Sequence, residues 1–308
     1  MSYYSANKYY RNIFNGKVYK ISLNGGMTCP NRDGTVGTGG CIFCSNKGSG
    51  DFSPVGSMSI NEQIEESIKR VRSKIKEDKF IAYFQSFTNT YAPVEYLEKI
   101  FTQAINHKSI VGLSIGTRPD CLGDDVLELL ERLNKIKPVF VELGLQTIHE
   151  KTAQYINRGY PLEVFDTAVD NLKKIGVNVI VHIIVGLPYE TEDMIYQTVD
   201  YVGNSGADGI KLQLLHILEG TRLAQEYNEN KFEVLTLEKY TDIICNCIER
   251  IPEDMVIHRI TGDGPKNILI APKWSGNKKM VLNTINKAIK DGNITQGRQF
   301  NRSIKEQF

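Results

Sequence analysis

Three of the six cysteines lie close together, at a spacing typical of metal ligands. Cys29, Cys41 and Cys44 are separated by eleven and by two residues on a glycine-rich segment, and the two-residue spacing brings two sulfurs to one centre. A structural zinc site takes a fourth ligand, but residues 24–60 contain no other Cys or His. An iron–sulfur cube held by three thiolates instead leaves one iron open to a ligand. From spacing alone, the zinc and iron–sulfur interpretations stay equally open.

The other three cysteines do not complete this ligand set. Cys121 follows a different strand-like run, and Cys245 and Cys247 point about 200° apart if their segment is helical. We therefore predict that these three are structural, reduced thiols.

The composition is that of a soluble globular protein. The 308 residues are 41% hydrophobic and 24% charged, and six cysteines are too few for a disulfide scaffold. The first residues lack the apolar segment of a secretory signal, and no apolar run reaches the roughly 18 residues that a membrane span requires. These observations predict a soluble cytoplasmic protein with no membrane partner.

The elements that must position the cysteines follow a repeating strand and helix pattern. A capping box, Ser59 with Glu62, opens one helix, and Gly176 ends another. After the first unit, strands begin roughly 30 to 40 residues apart, the length of a strand plus a crossover helix, which predicts parallel strands. The strand-like runs are 18–23, 80–87, 110–115, 139–145, 177–185 and 210–215.

Six such units predict an α/β fold, a partial (β/α)6 TIM-like barrel with a small C-terminal extension. An open doubly wound sheet is the alternative. We assign residues 1–221 to the core, with a metal-binding loop at 24–46, and residues 222–308 to the extension, with a helix at 237–250 and a possible strand at 256–260. Both architectures place ligands at the carboxyl ends of the strands.

Four motifs, in this order along the chain, resemble a known family. They are TCPNRDG at 28–34, SIGTRPDC at 114–121, ELGLQ at 142–146 and GLPYE at 186–190. They are similar to the YtqA/YhcC-like family of the radical S-adenosylmethionine (SAM) superfamily, relatives of the Elongator catalytic subunit. Most members of the superfamily have three residues, rather than eleven, between the first two cysteines. The longer spacing therefore narrows the resemblance to the YtqA/YhcC-like family.

This resemblance implies a barrel of radical SAM type and two cofactors, a 4Fe–4S cluster and SAM. Cys29, Cys41 and Cys44 are then the cluster ligands, and the open iron chelates SAM. One electron, supplied by a donor such as flavodoxin or ferredoxin, cleaves SAM to methionine and a 5′-deoxyadenosyl radical that abstracts hydrogen from the substrate.

The resemblance also implies SAM contacts in the loops that follow the strands. Phe43 corresponds to an aromatic residue beside adenine, although a loop aromatic that packs inward fits equally well. Ser86 and Thr88 stand where relatives hold the SAM amino group with a Gly-Gly-Glu-like motif, which this sequence lacks. Pro188 and Tyr189 belong to a turn that contacts adenine in relatives, and a plain turn from strand to helix has the same sequence pattern.

The fourth and fifth strands carry further candidates. Gln146 and Arg158 resemble the ribose-binding glutamine and carboxylate-binding arginine of oxygen-independent coproporphyrinogen oxidases. His182 falls where relatives place a residue near the ribose, but a lone His in an apolar strand is often a satisfied core residue. Relatives carry a SAM-contacting Glu where this chain has Gly116, so either Glu142 replaces it or the pocket is open there.

The resemblance implies that the substrate is tRNA, with a carboxymethylaminomethyl group on the wobble uridine converted to aminomethyl.

The charge is unevenly distributed along the chain. Residues 1–50 and 264–308 carry net charges of +5 and +7, so the total of +1 leaves −11 for the residues between them. Basic ends can hold phosphates, with Trp274 as a stacking face, or can simply be solvated. A radical SAM enzyme acting on a metabolite and a non-catalytic, zinc-stabilised RNA-binding protein remain alternatives. Further residues that could face the substrate are Lys211, His216, His258, Arg259 and Asp263.

Overall fold

Seven parallel strands form one curled sheet in the computed structural model, which describes residues 2–48, 58–73, 75, 77–262 and 264–301. The sheet order is β1-β2-β3-β4-β5-β6-β8, and β7 and β9 form a separate antiparallel pair. The strands are β1 (Tyr19–Leu23), β2 (Phe80–Phe84), β3 (Ile110–Thr117), β4 (Val139–Gln146), β5 (Asn178–Val185), β6 (Gly209–Leu214), β7 (Ile217–Leu218), β8 (Val256–Arg259) and β9 (Leu269–Ala271).

Helices cover the outer face of the sheet, and their apolar sides form the main core with the outward side chains of the strands. The predicted capping box at Ser59 and Glu62 is present. In the described part of the chain, no helix has the length and hydropathy needed to cross a membrane. The helices are α1 (Ala6–Phe14), α2 (Ile60–Arg72), α3 (Val94–Asn106), α4 (Asp124–Ile136), α5 (Glu150–Tyr155), α6 (Leu162–Lys174), α7 (Glu192–Asn204), α8 (Arg222–Asn228), α9 (Leu237–Arg250) and α10 (Lys278–Asp291).

The prediction of a partial barrel with six βα units is confirmed, and the sheet has one strand more than those units supply. The seventh strand, β8, comes from the predicted extension and pairs with β6. It covers an edge of β6 whose N–H and C=O groups would otherwise lack partners. Its four residues come after α8 and α9. They therefore do not follow the regular spacing of strands along the sequence from which the other strands were predicted. The division at residue 221 stays a prediction.

Helix α1 closes the amino end of the barrel. Tyr10 packs in a small inner cluster with Ile81, Phe140 and Ile180, which lie near the starts of β2, β4 and β5. Tyr9 donates a hydrogen bond to Asn178 Oδ1 over 2.9 Å at the start of β5. Any entrance to the barrel interior therefore lies at the other end, where the strands finish.

Candidate functional site

A cavity of about 260 Å³ opens at the carboxyl ends of the strands, as the architecture predicts. It brings together most of the residues that the sequence singles out, although Ser86, Pro188 and Tyr189 do not line it. The predicted cluster and SAM residues that do line it are Cys29, Cys41, Phe43, Cys44, Thr88, Glu142, Gln146, Arg158 and His182. Of the residues predicted to face the substrate, Lys211, His216 and Arg259 line the cavity and His258 does not.

Hydrogen bonds from side chains hold the cysteine loop in place. Arg32 Nη2 donates to the carbonyl oxygen of Ser45 over 2.7 Å, within the loop. Asn31 Nδ2 donates to the carbonyl oxygen of Asn157 over 2.5 Å, and Asn157 Nδ2 donates to that of Gly40 over 2.8 Å. Gly40 has φ +80, and a Cβ there would lie 2.8 Å from Arg32 Nε. The loop is thus fixed to itself and to the segment that follows β4.

The donor set of this loop fits a metal cluster. The sulfurs of Cys29, Cys41 and Cys44 line the same cavity, and Asn31 Nδ2 lies 3.7 Å from Cys41 Sγ. A hydrogen bond with Cys44 and burial raise the pKa of the Cys41 thiol well above its usual value. Among the described residues, no three His, Cys, Asp or Glu side chains converge closely enough to hold a single metal ion. The assignment of the three cysteines as ligands stays a prediction.

The other cysteines lie elsewhere, and none of the six forms a disulfide. Cys245 and Cys247 belong to α9 and pack in the main core, which confirms their predicted structural role. Cys121 does not line the cavity, and burial raises the pKa of its thiol to about 12.

Glu142 is the centre of a buried polar cluster on the inner face of the sheet. Its Oε1 accepts hydrogen bonds from Lys20 Nζ over 2.5 Å and Ser114 Oγ over 2.6 Å. Its Oε2 accepts from His182 Nε2 over 2.6 Å and from Lys211 Nζ. Burial raises the pKa of Glu142, but the two lysines outweigh it and hold that pKa well below its usual range. This geometry does not favour the SAM contact predicted for Glu142, because the carboxylate already has four partners.

Both ring nitrogens of His182 also have partners. Nε2 donates to Glu142, and Nδ1 accepts from Gln213 Nε2 over 3.0 Å. Burial lowers the pKa of His182 to about 4, so the ring is neutral near pH 7. His182 therefore matches the alternative of a satisfied core histidine, and its ribose contact stays a prediction.

Arg158 is a buried link between β4 and the segment that follows it. It is 1% exposed, and its guanidinium donates to the carbonyl oxygens of Leu145, Thr147 and Tyr160 and to Glu150 Oε1. Four donations leave little capacity for a ligand carboxylate. The carboxylate-binding role of Arg158 remains a prediction that this arrangement does not favour.

Three residues at or just after the carboxyl ends of strands have a left-handed backbone conformation. Phe87, Gln146 and Tyr189 have φ of 60, 69 and 67, whereas every other described non-glycine residue with positive φ is Asn. A left-handed backbone costs these residues about 1–3 kcal/mol, and such strain clusters at functional sites. Gln146 lines the cavity, so it is the predicted SAM residue that the backbone geometry favours most. Tyr189 is 65% exposed.

The loop after β2 contains two buried polar atoms without a hydrogen-bond partner in the described part of the chain. They are Ser86 Oγ and Asn89 Oδ1, close in sequence to the cavity-lining residues Phe87 and Thr88. Unpaired buried oxygens are rare and cost free energy. These two oxygens could accept hydrogen bonds from a bound donor such as an ammonium group.

The sequence analysis missed most of the cluster around Glu142. Lys20, Ser114 and Gln213 were not singled out, and Lys211 was named only as a residue that could face the substrate. The available signal was the alternation of polar and apolar residues along β1, β3 and β6, which marks an inward face that is polar. Asp263 lies outside the described residues.

Comparison with known proteins places the chain in one family over most of its length. Residues 31–202 match the radical SAM superfamily, and residues 207–291 match the radical SAM C-terminal domain. The chain is 45% identical to YtqA of Bacillus subtilis (strain 168) over 304 residues, 99% of this chain and 94% of that protein. It is 39% identical to YhcC of Escherichia coli (strain K12) over 263 residues, 85% of this chain and 84% of that protein.

More distant similarity reaches proteins with other names. The tRNA uridine(34) acetyltransferase of Methanocaldococcus jannaschii is 26% identical over 163 residues, 52% of this chain and 30% of that protein. The structure of archaeal Methanocaldococcus infernus Elp3 with an N-terminal deletion superposes with a TM-score of 0.68 at 18% identity, covering 91% of this chain and 64% of that one. At that identity the superposition shows a shared fold.

Proposed function

The chain belongs to the radical SAM superfamily, and we propose that it modifies the wobble uridine of tRNA, converting carboxymethylaminomethyl to aminomethyl. The main support for radical SAM chemistry is that one cavity, at the carboxyl ends of the barrel strands, is lined by Cys29, Cys41 and Cys44. When bound there, a 4Fe–4S cluster supplies the electron that cleaves SAM to methionine and a 5′-deoxyadenosyl radical. The cysteine loop positions the three thiolates, and α1 closes the far end of the barrel.

Two kinds of similarity support tRNA as the substrate. One relative is named a tRNA uridine(34) acetyltransferase, and the chain shares its fold with an archaeal Elp3. A cytoplasmic location and a donor such as flavodoxin or ferredoxin accord with this proposal, because tRNA and the low-potential donors of such clusters are found there.

The basic C-terminal region carries exposed lysines on segments that reach the cavity. Pro265 lines the cavity, and His216, another lining residue, lies 3.1 Å from Ser275 Oγ through its Nε2. Lys266, Lys273, Lys278 and Lys279 are exposed on these segments. Exposed lysines on segments that reach the cavity are suited to phosphates, with binding that weakens as salt rises.

Two parts of the predicted RNA surface differ in the structure. The basic residues of α1, such as Lys8 and Arg11, lie at the closed amino end of the barrel, away from the cavity. The indole of Trp274 packs against Tyr240, with ring centres 5.6 Å apart, and donates to the carbonyl oxygen of Leu235. Trp274 therefore stabilises the fold rather than offering a free stacking face.

The substrate proposal is tested by nucleoside mass spectrometry of tRNA from a deletion strain. We expect the aminomethyl nucleoside to disappear at the wobble position and the carboxymethylaminomethyl nucleoside to accumulate. The wild-type gene should restore the profile, and Cys41→Ala should not. An unchanged profile in the deletion strain would refute the tRNA proposal and favour a metabolite substrate.

Gln146 offers a test of the SAM contacts. Glycine tolerates φ of +69 without a steric penalty, so Gln146→Gly should leave the free energy of unfolding unchanged or raise it by about 1 kcal/mol. If the Gln146 amide binds SAM, the same change should weaken SAM affinity about tenfold, the effect of one lost hydrogen bond. Calorimetric titration and urea unfolding give the two quantities.

The matched control is Asn230→Gly, at another left-handed position with φ 56 that does not line the cavity. It introduces glycine at a left-handed position in the same way, with less strain to release because Asn tolerates this region, and it should leave SAM affinity unchanged. Equal SAM affinity in the Gln146 variant and the wild type would exclude a contact from this side chain.

A further inference from the structure

We propose that Asn31 is a positioning residue of the cluster site, and that the hydrogen bond from its side-chain amide to the Cys41 sulfur makes a bound cluster easier to reduce. Asn31 lies two residues after Cys29 on the cysteine loop, at the bottom of its first turn. The proposal rests on the assignment of Cys41 as a cluster ligand. It does not depend on the identity of the substrate.

The first observation is the contact with sulfur. Asn31 Nδ2 lies 3.7 Å from Cys41 Sγ, a length that suits a hydrogen bond to sulfur because sulfur is larger than oxygen. Cys41 is a thiol in this structure, and it is a thiolate when it binds iron. A thiolate is the stronger acceptor, since hydrogen bonds to charged groups are shorter and stronger than those to neutral groups.

A second acceptor fixes the orientation of the Asn31 amide. Nδ2 also donates to the carbonyl oxygen of Asn157, over 2.5 Å. A carbonyl oxygen accepts only from the NH2 side of an amide, so a reversed amide would place two oxygens against each other. The NH2 group has two protons, and the Asn157 carbonyl and the Cys41 sulfur use both.

The surrounding residues hold the Asn31 side chain in this position. Asn31 is 1% exposed, and a Cβ at Gly37 or Gly159 would lie 2.5 or 3.1 Å from its Oδ1. The backbone carbonyl oxygen of Asn31 accepts from the Gly40 N–H over 2.7 Å, next to Cys41 in the chain. Asn31 therefore fixes the position of Cys41 through its backbone as well as through its side chain.

The expected effect on a bound cluster is electrostatic. Reduction adds one negative charge, and the cysteine sulfurs carry part of it. The Asn31 N–H directs the positive end of its dipole at Cys41 Sγ, so it stabilises the reduced state more than the oxidised state. Hydrogen bonds to the sulfurs are among the factors that set the reduction potential of such clusters. Burial strengthens this interaction, because water does not screen it.

The test measures the reduction potential of the wild type and of Asn31→Leu. Leucine branches at the same atom as asparagine and has no donor, so it removes the hydrogen bond while still excluding water. The EPR signal of the reduced cluster is followed at fixed potentials on anaerobically reconstituted protein without SAM. We expect the equilibrium constant for one-electron reduction to fall about three- to tenfold, a downward shift of roughly 30–60 mV.

Gly37→Ala is a second variant that leaves Asn31 itself unchanged. The added Cβ would lie 2.5 Å from Asn31 Oδ1, so the amide must move away from its present position. Gly37 is not among the glycines with positive φ, so alanine adds the contact without backbone strain. The potential should fall in the same direction as in Asn31→Leu.

The matched control is Asn157→Gly, which removes a different hydrogen bond of the same loop. The Asn157 side chain donates to the carbonyl oxygen of Gly40 over 2.8 Å and does not line the cavity. Glycine tolerates its φ of 54, and the backbone carbonyl that accepts from Asn31 is retained. The unfolding midpoint should fall slightly, and the reduction potential should equal that of the wild type.

A measurement on the wild type needs no variant. Protein labelled with ¹⁵N in its asparagine side chains should show a weak coupling between ¹⁵N and the reduced cluster in pulsed EPR. If neither Asn31→Leu nor Gly37→Ala takes up iron, this coupling decides, and its absence would overturn the proposal.

Two further results would overturn the role of Asn31. They are a potential that is unchanged in Asn31→Leu, whatever its iron content, and an equal shift of the potential in Asn157→Gly. The first would restrict Asn31 to the structure of the loop, and the second would make the shift a general effect of loosening it. The radical SAM assignment fails separately, if the reconstituted wild type lacks about four irons per chain.

Discussion

Alanine at any one of Cys29, Cys41 or Cys44 is expected to abolish both cluster assembly and SAM cleavage. Three thiolates are the full set of protein ligands that this loop offers, so the loss of one leaves the cluster with two. We expect iron content to fall from about four per chain to below one, and release of 5′-deoxyadenosine to fall at least about 10³-fold. The measurements are anaerobic iron and sulfide analysis and chromatography of the SAM products.

Cys245→Ala is the matched control, because this thiol lies in the core between α9 and its neighbours. It should keep the cluster and the SAM cleavage activity, with a modest loss of stability. Equal loss of iron in the control and the loop variants would refute the ligand assignment. One zinc per wild-type chain would instead favour the non-catalytic interpretation.

Glu142→Gln should strongly destabilise the fold. The substitution leaves the buried Lys211 and the partly buried Lys20 without their carboxylate, and removal of one partner from a buried ion pair costs about 3–5 kcal/mol. The unfolding temperature should fall by roughly 5–15 °C. Urea unfolding and thermal melts of the purified variant measure both quantities.

The control for Glu142 is Glu98→Gln, which breaks a surface ion pair with Arg132 whose side chains are both about half exposed. Such pairs contribute about 0–1 kcal/mol.

Since the pKa of Glu142 is lowered in the folded protein, its contribution to stability is present above about pH 4.5 and lost as the pH falls further. The Glu142→Gln variant should lack this acid-dependent loss, and a full loss there would contradict the assignment.

The parts of the fold that repeat could be predicted from the sequence. Six strands and their crossover helices each carry a local hydrophobic pattern, and their regular spacing implies parallel order. The possible strand predicted at 256–260 is β8, but its pairing with β6 could not be predicted, because it lies outside the regular spacing, after α8 and α9. Its place in the sheet depends on a contact between distant residues rather than on its own sequence pattern.

Some residues of the candidate site could likewise be predicted from the sequence, and others could not. The cysteines could be predicted because their ligands lie on one loop, where spacing in sequence limits spacing in three dimensions. The cluster around Glu142 could not, because Lys20 and Lys211 are 122 and 69 residues away from it in sequence. Arg158 shows the converse, since its resemblance to a carboxylate-binding arginine predicts a ligand contact while its hydrogen bonds hold the loop after β4.

The residues just before α1 contact segments near the other end of the sequence. Beside α1, the Tyr4 N–H donates to Gln296 Oε1 across 292 residues of sequence, and Ser5 forms a β-bridge with Ile257. Contacts between such distant residues form slowly because of the entropy lost in closing the loop between them. During synthesis the cysteine loop and the first six strands leave the ribosome well before residues 256–296. The contacts that join Tyr4 and Ser5 to Gln296 and Ile257 can therefore form only after the scaffold of the site has been made.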